Sequence, residues 1–186
     1  MMAVAALLIA GAVQEGQTTE LFVQYASTRP QLPVRFEYPS GWQVEESAGS
    51  HEVYSQVQVY GPAVLEPRLR TYLVIRCVPP KTEGGRYASL GEMVDAYRTT
   101  LQTGLGVDGE QEIQMLGRLA KQLEVSGTLW LPWESPAAQP VAVKGQRVFF
   151  EQDGRLYEAG WMATPEVSNQ VAAAFSHLLH TFSFAQ

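Results

Sequence analysis

Val34-Arg35-Phe36-Glu37-Tyr38-Pro39-Ser40-Gly41-Trp42 marks where the chain enters its core. Apolar and polar side chains alternate from Val34 to Tyr38, the period-2 pattern of a strand with Val34, Phe36 and Tyr38 on one face. Pro39-Ser40-Gly41 ends that strand as a turn, and Trp42 follows. A second alternation, Val53, Val57 and Val59, predicts another strand closed by Gly61-Pro62, and the nearly continuous apolar run Thr71 to Val78 predicts a central strand covered on both faces. Ser89-Leu90-Gly91-Glu92 then matches a capping box, and Leu90, Met93, Val94, Tyr97 and Leu101 recur at helical spacing up to Gly104.

Further along, Glu112 to Trp130 reads as β structure with a break near Gly117. The segment from Leu131 to Pro140 reads as a loop, because Pro132, Pro136 and Pro140 lack amide donors. Asp153-Gly154 between two apolar runs predicts a tight hairpin. Thr164-Pro165-Glu166 predicts the start of a last helix with Val167, Val171, Ala174, Phe175 and Leu178 as its buried stripe, and Thr181 to Phe184 a closing strand. Three strands, a helix, about four strands, a helix and a short strand make an α+β fold, a sandwich with a mainly antiparallel sheet and two amphipathic helices.

On the N-terminal side, Met1 to Val13 is an uncharged apolar run, too short for the roughly 20 residues of a membrane-spanning helix. With small residues at Ala10 and Ala12 it reads as the apolar region of a signal peptide, residues 1–12, although no Lys or Arg precedes it. Residues 13–31 read as a polar leader and residues 32–186 as one domain. The expected localisation is export, periplasmic or extracellular, with the thylakoid lumen applying only to a photosynthetic source. The chain holds 186 residues, 46% hydrophobic, with 19 acidic and 13 basic side chains and a net charge of −6. That composition excludes disorder and argues against a nucleic-acid partner, whose phosphates call for a basic surface. Cys77 is the sole cysteine, so no intramolecular disulfide forms, and its apolar strand predicts a buried, inert thiol.

The run Gly104-Leu105-Gly106-Val107-Asp108-Gly109 matches GxGxxG, but in reversed context. A dinucleotide site needs a strand before the glycines and a helix after them, and here the helix comes first, so the run reads as a helix-terminating loop and no cofactor is expected. His177 and His180 have a spacing compatible with one metal, yet a third ligand is required, which His51 or a distant carboxylate could supply; no metal is assigned, and capping of the helix C-terminus is the alternative. Glu45 and Glu46 point to opposite faces of an extended segment and read as a solvated edge rather than an acid-base pair. No GxSxG elbow is present and no catalytic residue is named. Trp130 and Trp133 beside the proline-rich loop read either as docking anchors or, preferably, as covers for the sheet edge.

With the element order in place, the chain resembles the PsbP-like family, that of the photosystem II oxygen-evolving subunit P and its bacterial relatives. Phe36 to Trp42 is similar to the family's F-x-x-P-x-G-W opening, and Phe175 to Phe184 to its F-x-x-L-L-x-S-F ending, with Thr181 where serine is usual. The helix from Ser89 and the hairpin at Asp153-Gly154 fall where the family has them. The resemblance implies an α/β/α sandwich and a non-catalytic exported accessory or assembly role. The family's service to the manganese cluster is not implied, because residues 14–31 show no motif of the extension that performs it. Two functions follow as expectations. One is an interaction protein that binds a membrane or envelope complex through an exposed sheet face or the loop from Leu131 to Pro140. The other is a carrier of a small apolar ligand between helix and sheet, with Tyr38, Trp42 and Tyr97 lining the pocket.

Overall fold

The computed structural model describes residues 21–48, 54–65, 69–132 and 135–185. The expected signal peptide, His51, Val53 and Trp133 lie outside them. Strands β1 (Phe22–Ala26), β2 (Val34–Pro39), β3 (Gln43–Ala48), β4 (Ser55–Leu65) and β5 (Leu69–Val78) come first, then helix α1 (Leu90–Thr99). After it run β6 (Leu105–Met115), β7 (Arg118–Leu131), β8 (Gln139–Gln152), β9 (Arg155–Ala163), helix α2 (Ser168–Thr181) and β10 (Ser183–Phe184). They form a seven-stranded sheet in the order β3-β4-β5-β9-β8-β7-β6 and a three-stranded sheet in the order β1-β2-β10. Every pairing is antiparallel.

The strand period of two divides the large sheet into two chemically different faces. Val57, Val59, Leu73, Ile75, Cys77, Val148, Phe150, Tyr157, Ala159 and Trp161 point to one, where they meet α2 and the buried Val34 and Phe36 of β2. α2 supplies Val171, Ala174, Phe175 and Leu178, at the i, i+3, i+4, i+7 spacing of a helix buried on one side. The opposite face carries two smaller apolar clusters. Met93 and Val94 of α1 cover Val78, Leu123, Phe149 and Leu156 at one end, and Leu129, Leu131, Val141, Val143 and Met162 gather at the other. The layers are therefore α1, the large sheet, and a third layer shared by α2 and the small sheet, an α+β sandwich.

Several local readings need correction. The segment read as a polar leader contains β1, which pairs with β2 from Phe22↔Pro39 to Ala26↔Arg35; its register is set by β2, not by any local alternation. β4 does not stop at Gly61-Pro62 but continues to Leu65 through shifts of register after Tyr60. Pro140 sits inside β8, opposite Trp130 of β7. It is tolerated because β9 pairs with β8 only as far as Lys144↔Ala163, leaving Pro140 no strand partner on its other side among the described residues.

The helix boundaries are set by side chains. Ser89 Oγ accepts from the Glu92 amide at 3.2 Å, as a capping box requires. The Glu92 carboxylate reaches one residue further back than expected and accepts from the Ala88 amide at 2.7 Å. α1 ends at Thr99, so Leu101 lies past it, and α2 begins three residues after Pro165, a turn at Thr164 to Val167 leading into it. Asp153 and Gly154 take φ of 51° and 74°, as a two-residue hairpin requires.

The GxGxxG run is mostly strand, with Gly106 and Gly109 inside β6. Gly104 has a backbone reason of its own. Its φ is 96°, and a Cβ there would stand 2.2 Å from the Thr128 carbonyl oxygen, where β7 crosses the start of β6.

Candidate functional site

Three charged residues stand within largely apolar stretches of adjacent strands: Arg76 in β5, Arg147 in β8 and Glu158 in β9. Because β5, β9 and β8 are neighbours and the three positions have the same parity in the register, all three meet on the α1 side. Arg147 Nε lies 3.1 Å from Glu158 Oε1, and Arg76 Nη1 lies 3.3 Å from Glu158 Oε2. Arg147 and Glu158 are 6% and 5% exposed, so this pair has left water almost completely, whereas Arg76 keeps about a third of its side-chain surface.

The terminal nitrogens of the buried Arg147 are held by further bonds, as a desolvated charge requires. Arg147 donates from Nη1 to the Trp161 carbonyl at 2.8 Å and the Gln146 carbonyl at 3.1 Å, and from Nη2 to the Tyr72 hydroxyl at 3.1 Å. Burial disfavours its charge, but Tyr72, Tyr97 and Glu158 more than compensate, and its pKa is raised. Room for this guanidinium depends on Gly160, where a Cβ would lie 2.5 Å from both Arg147 Cδ and Nη1. Arg76 donates from Nε and Nη2 to Gln56 Oε1 at 3.3 and 3.1 Å, and its guanidinium carbon lies 4.6 Å from the Tyr54 ring centroid. Both oxygens of Glu158 are thus engaged by guanidinium groups, which makes it a counter-ion rather than a base.

Beside this network a cleft of about 250 Å³ opens under α1. Arg76 and Glu158 contribute its polar wall; Tyr54, Tyr87, Met93, Tyr97 and Phe149 contribute the apolar one, with Arg86 and Thr100 also lining it. Tyr97 packs edge-on against Phe149 at 5.3 Å between centroids, and burial pushes its phenol pKa up, keeping the hydroxyl neutral.

A second feature stands at the far end of the same sheet. β6 pairs with β7 only as far as Gly127, and β9 with β8 only as far as Lys144, so Thr128–Leu131 and Gln139–Val143 project as a two-stranded arm. Leu129, Leu131, Val141 and Val143 are buried on one face of the arm, while Trp130 on the other is 57% exposed, beside exposed Pro140 and Ala142.

The residues singled out in the sequence do not converge. Trp42 is buried in the core on the α2 side, its ring 3.0 Å from where a Gly61 Cβ would be, and half-buried Tyr38 packs against that same core. Tyr97 lies across the sheet, so these three aromatics line no common pocket; the strand parity that puts Tyr38 beside Phe36 turns it away from α1. Trp130 does not fold back over the core as preferred, because no strand or helix covers its face of the arm among the described residues.

The two histidines serve separate contacts. His177 Nε2 lies 2.8 Å from Glu37 Oε2 with its ring stacked on Phe22 at 3.7 Å, and His180 Nδ1 lies 2.7 Å from the Ser176 carbonyl of its own helix. Among the described residues no cluster of three His, Cys, Asp or Glu could hold a metal, and no helix is long and apolar enough to cross a membrane.

Glu46 is no solvated edge. Tyr25 donates its hydroxyl to Oε1, the Thr28 amide and hydroxyl donate at 3.1 Å each, and Arg29 Nε lies 3.2 Å away. Burial alone would raise the Glu46 pKa, but the Tyr25 and Thr28 bonds outweigh it and hold the carboxyl below its ordinary value. This cluster ties the β1–β2 turn to β3. Arg76, Arg147 and Glu158 were missed in the sequence. Their signal was there, as charges in the apolar runs TYLVIRCV, GQRVFF and LYEAGW, since such charges must be paired when buried.

No family model matches the chain, and no curated protein matches it in sequence. Among solved structures, cyanobacterial PsbP (CyanoP) from Synechocystis sp. PCC 6803 superposes with a TM-score of 0.54 at 13% identity, covering 94% of this chain and 98% of that one. LpqN, involved in cell envelope biogenesis of Mycobacterium tuberculosis, superposes with a TM-score of 0.53 at 12% identity, covering 90% and 92%. At these identities the likeness speaks to architecture alone, and it agrees with the layers, the antiparallel order and the two helices described above. The chain therefore has the PsbP-like fold.

Proposed function

We propose that this protein is a non-catalytic, exported accessory protein that docks onto a membrane or envelope complex through the projecting β7–β8 arm. The observation that carries the reading is Trp130, an exposed aromatic on the uncovered face of a two-stranded arm. A Trp held on paired strands presents a large contact area at little cost in conformational entropy, the usual character of an interface anchor. The two structural relatives support an accessory role by fold analogy, one of them through its stated part in envelope biogenesis.

The test is affinity for an envelope complex identified by photocrosslinking from position 130 in the native organism. Trp130→Ala is expected to weaken binding of that complex by about 30-fold or more, the effect of losing an anchor of roughly 2 kcal/mol. Unchanged affinity would reject the arm as the docking surface. Export is tested separately by fusing residues 1–31 to alkaline phosphatase, which is active only outside the cytoplasm; an inactive fusion rejects that part of the reading.

A second reading, a carrier of a small ligand, is favoured by one observation, the cleft under α1. It is lined by Tyr54, Tyr87, Met93, Tyr97 and Phe149 rather than by the aromatics expected from the sequence.

A further inference from the structure

We propose that the cleft under α1 selects a small organic anion, a carboxylate or phosphate head on an aromatic or short acyl body. The inference rests on the carrier reading of that cleft and specifies the ligand's chemistry.

The first observation is a charge imbalance. Arg147 and Arg76 share a single carboxylate, Glu158, so the network holds two positive charges against one negative. Arg147 is buried and held in place by the Trp161 and Gln146 carbonyls and the Tyr72 hydroxyl, so it does not reach solvent to relieve the excess. An anion placed next to Arg76 completes the neutralisation, and it does so where surrounding apolar groups weaken solvent screening.

Donor geometry points the same way. Arg76 spends Nε–H and one N–H of Nη2 on Gln56, and one N–H of Nη1 on Glu158. A guanidinium has five N–H groups, so each terminal nitrogen retains one without an acceptor among the described residues. The two terminal nitrogens form the planar fork that carboxylate and phosphate oxygens match. Arg76 lines the cleft and is about a third exposed, so a ligand can reach it.

The remaining walls select the body of the ligand. Tyr87, Met93, Tyr97 and Phe149 offer ring faces and a thioether opposite the charged wall, which suits an apolar or aromatic group rather than a bare inorganic ion. The volume of about 250 Å³ restricts that body to a small one. The protein's net charge of −6 makes this local positive excess a specific feature and not a reflection of overall composition.

Calorimetric titration of the full chain with naphthoate and with naphthamide, the same rings without the charge, tests the proposal. Naphthoate is expected to bind saturably, one per chain, and about tenfold or more tightly than naphthamide, as a charged hydrogen-bonded contact implies. Arg76→Gln should erase the difference. Arg70→Gln should leave it, because Arg70 bonds Gln43 and stacks over Tyr60 away from the cleft. If Arg76→Gln fails to fold, Thr100→Trp, which narrows the rim without touching the ion network, should abolish naphthoate binding. Sedimentation with phosphatidylglycerol vesicles identifies the source of the anion. Retention that depends on Arg76 and is displaced by naphthoate means a lipid head, and naphthoate binding without retention means a soluble metabolite. Equal affinity for naphthoate and naphthamide overturns the charge selection while leaving the carrier reading in place. No saturable binding of either compound overturns both, and naphthoate binding that survives Thr100→Trp puts the anion elsewhere and overturns the assignment.

Discussion

Glu158→Gln removes one charge and almost no volume, which makes it a direct probe of the buried network. In the native protein Glu158 faces Arg147 at 3.1 Å and Arg76 at 3.3 Å. After substitution Arg147, 6% exposed, keeps only neutral acceptors, the Trp161 and Gln146 carbonyls and the Tyr72 hydroxyl. Breaking one side of a buried pair in this way costs about 3–5 kcal/mol. For a domain of this size roughly 2–4 °C are lost per kcal/mol, so Tm should fall by about 6–20 °C. Urea unfolding followed by tryptophan fluorescence should show a lower midpoint at unchanged m. The double variant Arg147→Met with Glu158→Leu replaces the buried pair by apolar side chains of similar size and leaves Arg76 to Gln56 and water. It should recover most of the loss. Stability of Glu158→Gln within about 1 kcal/mol of the parent, or a double variant no better than the single one, would refute the view that an uncompensated arginine sets the cost.

Three further outcomes follow from neighbouring geometry. Gly160→Ala should destabilise by about 1–3 kcal/mol in the same urea assay, because its methyl group would overlap Arg147 and the Gln146 carbonyl oxygen, 2.6 Å from the new carbon. Glu46 has a folded pKa below its ordinary 4.5, so the unfolded chain binds the proton first; its contribution is complete above that value and is lost as pH falls through the lower folded one. Acid unfolding monitored by circular dichroism should therefore be shallower in Glu46→Gln, and an unchanged acid limb would contradict this. Burial pushes the Cys77 thiol pKa up, and at 1% exposure the sulfur should ignore a disulfide reagent at mildly alkaline pH until denaturant is added; rapid modification of the native protein would show that β5 opens readily.

The elements that the sequence made legible are those whose signals are local. Asp153-Gly154 requires two positive φ values wherever it occurs, Ser89 can cap only the helix that follows it, and the α2 stripe repeats at a period no strand can satisfy. β1 was not legible because Phe22 to Ala26 has no clean alternation of its own; its place comes from pairing with β2, from Phe22 on His177 and from Tyr25 on Glu46. Pro140 misled because a proline's effect depends on whether a strand lies on its amide side, which is a property of the sheet and not of the dipeptide.

The same division separates the candidate sites. The sequence by itself determined the period of each strand and helix, the turns and the caps, and hence the α+β order, because these depend on residues within a few positions of one another. Only the tertiary structure decided which faces met. Arg76, Arg147 and Glu158 stand on three strands and meet on one face of the sheet because β9 is inserted between β5 and β8. Trp130 stays exposed because, among the described residues, no helix or strand packs over its face of the arm, while the opposite face is covered. Strand order and relative strand length are set by packing between segments far apart in the chain, and no local pattern encodes them.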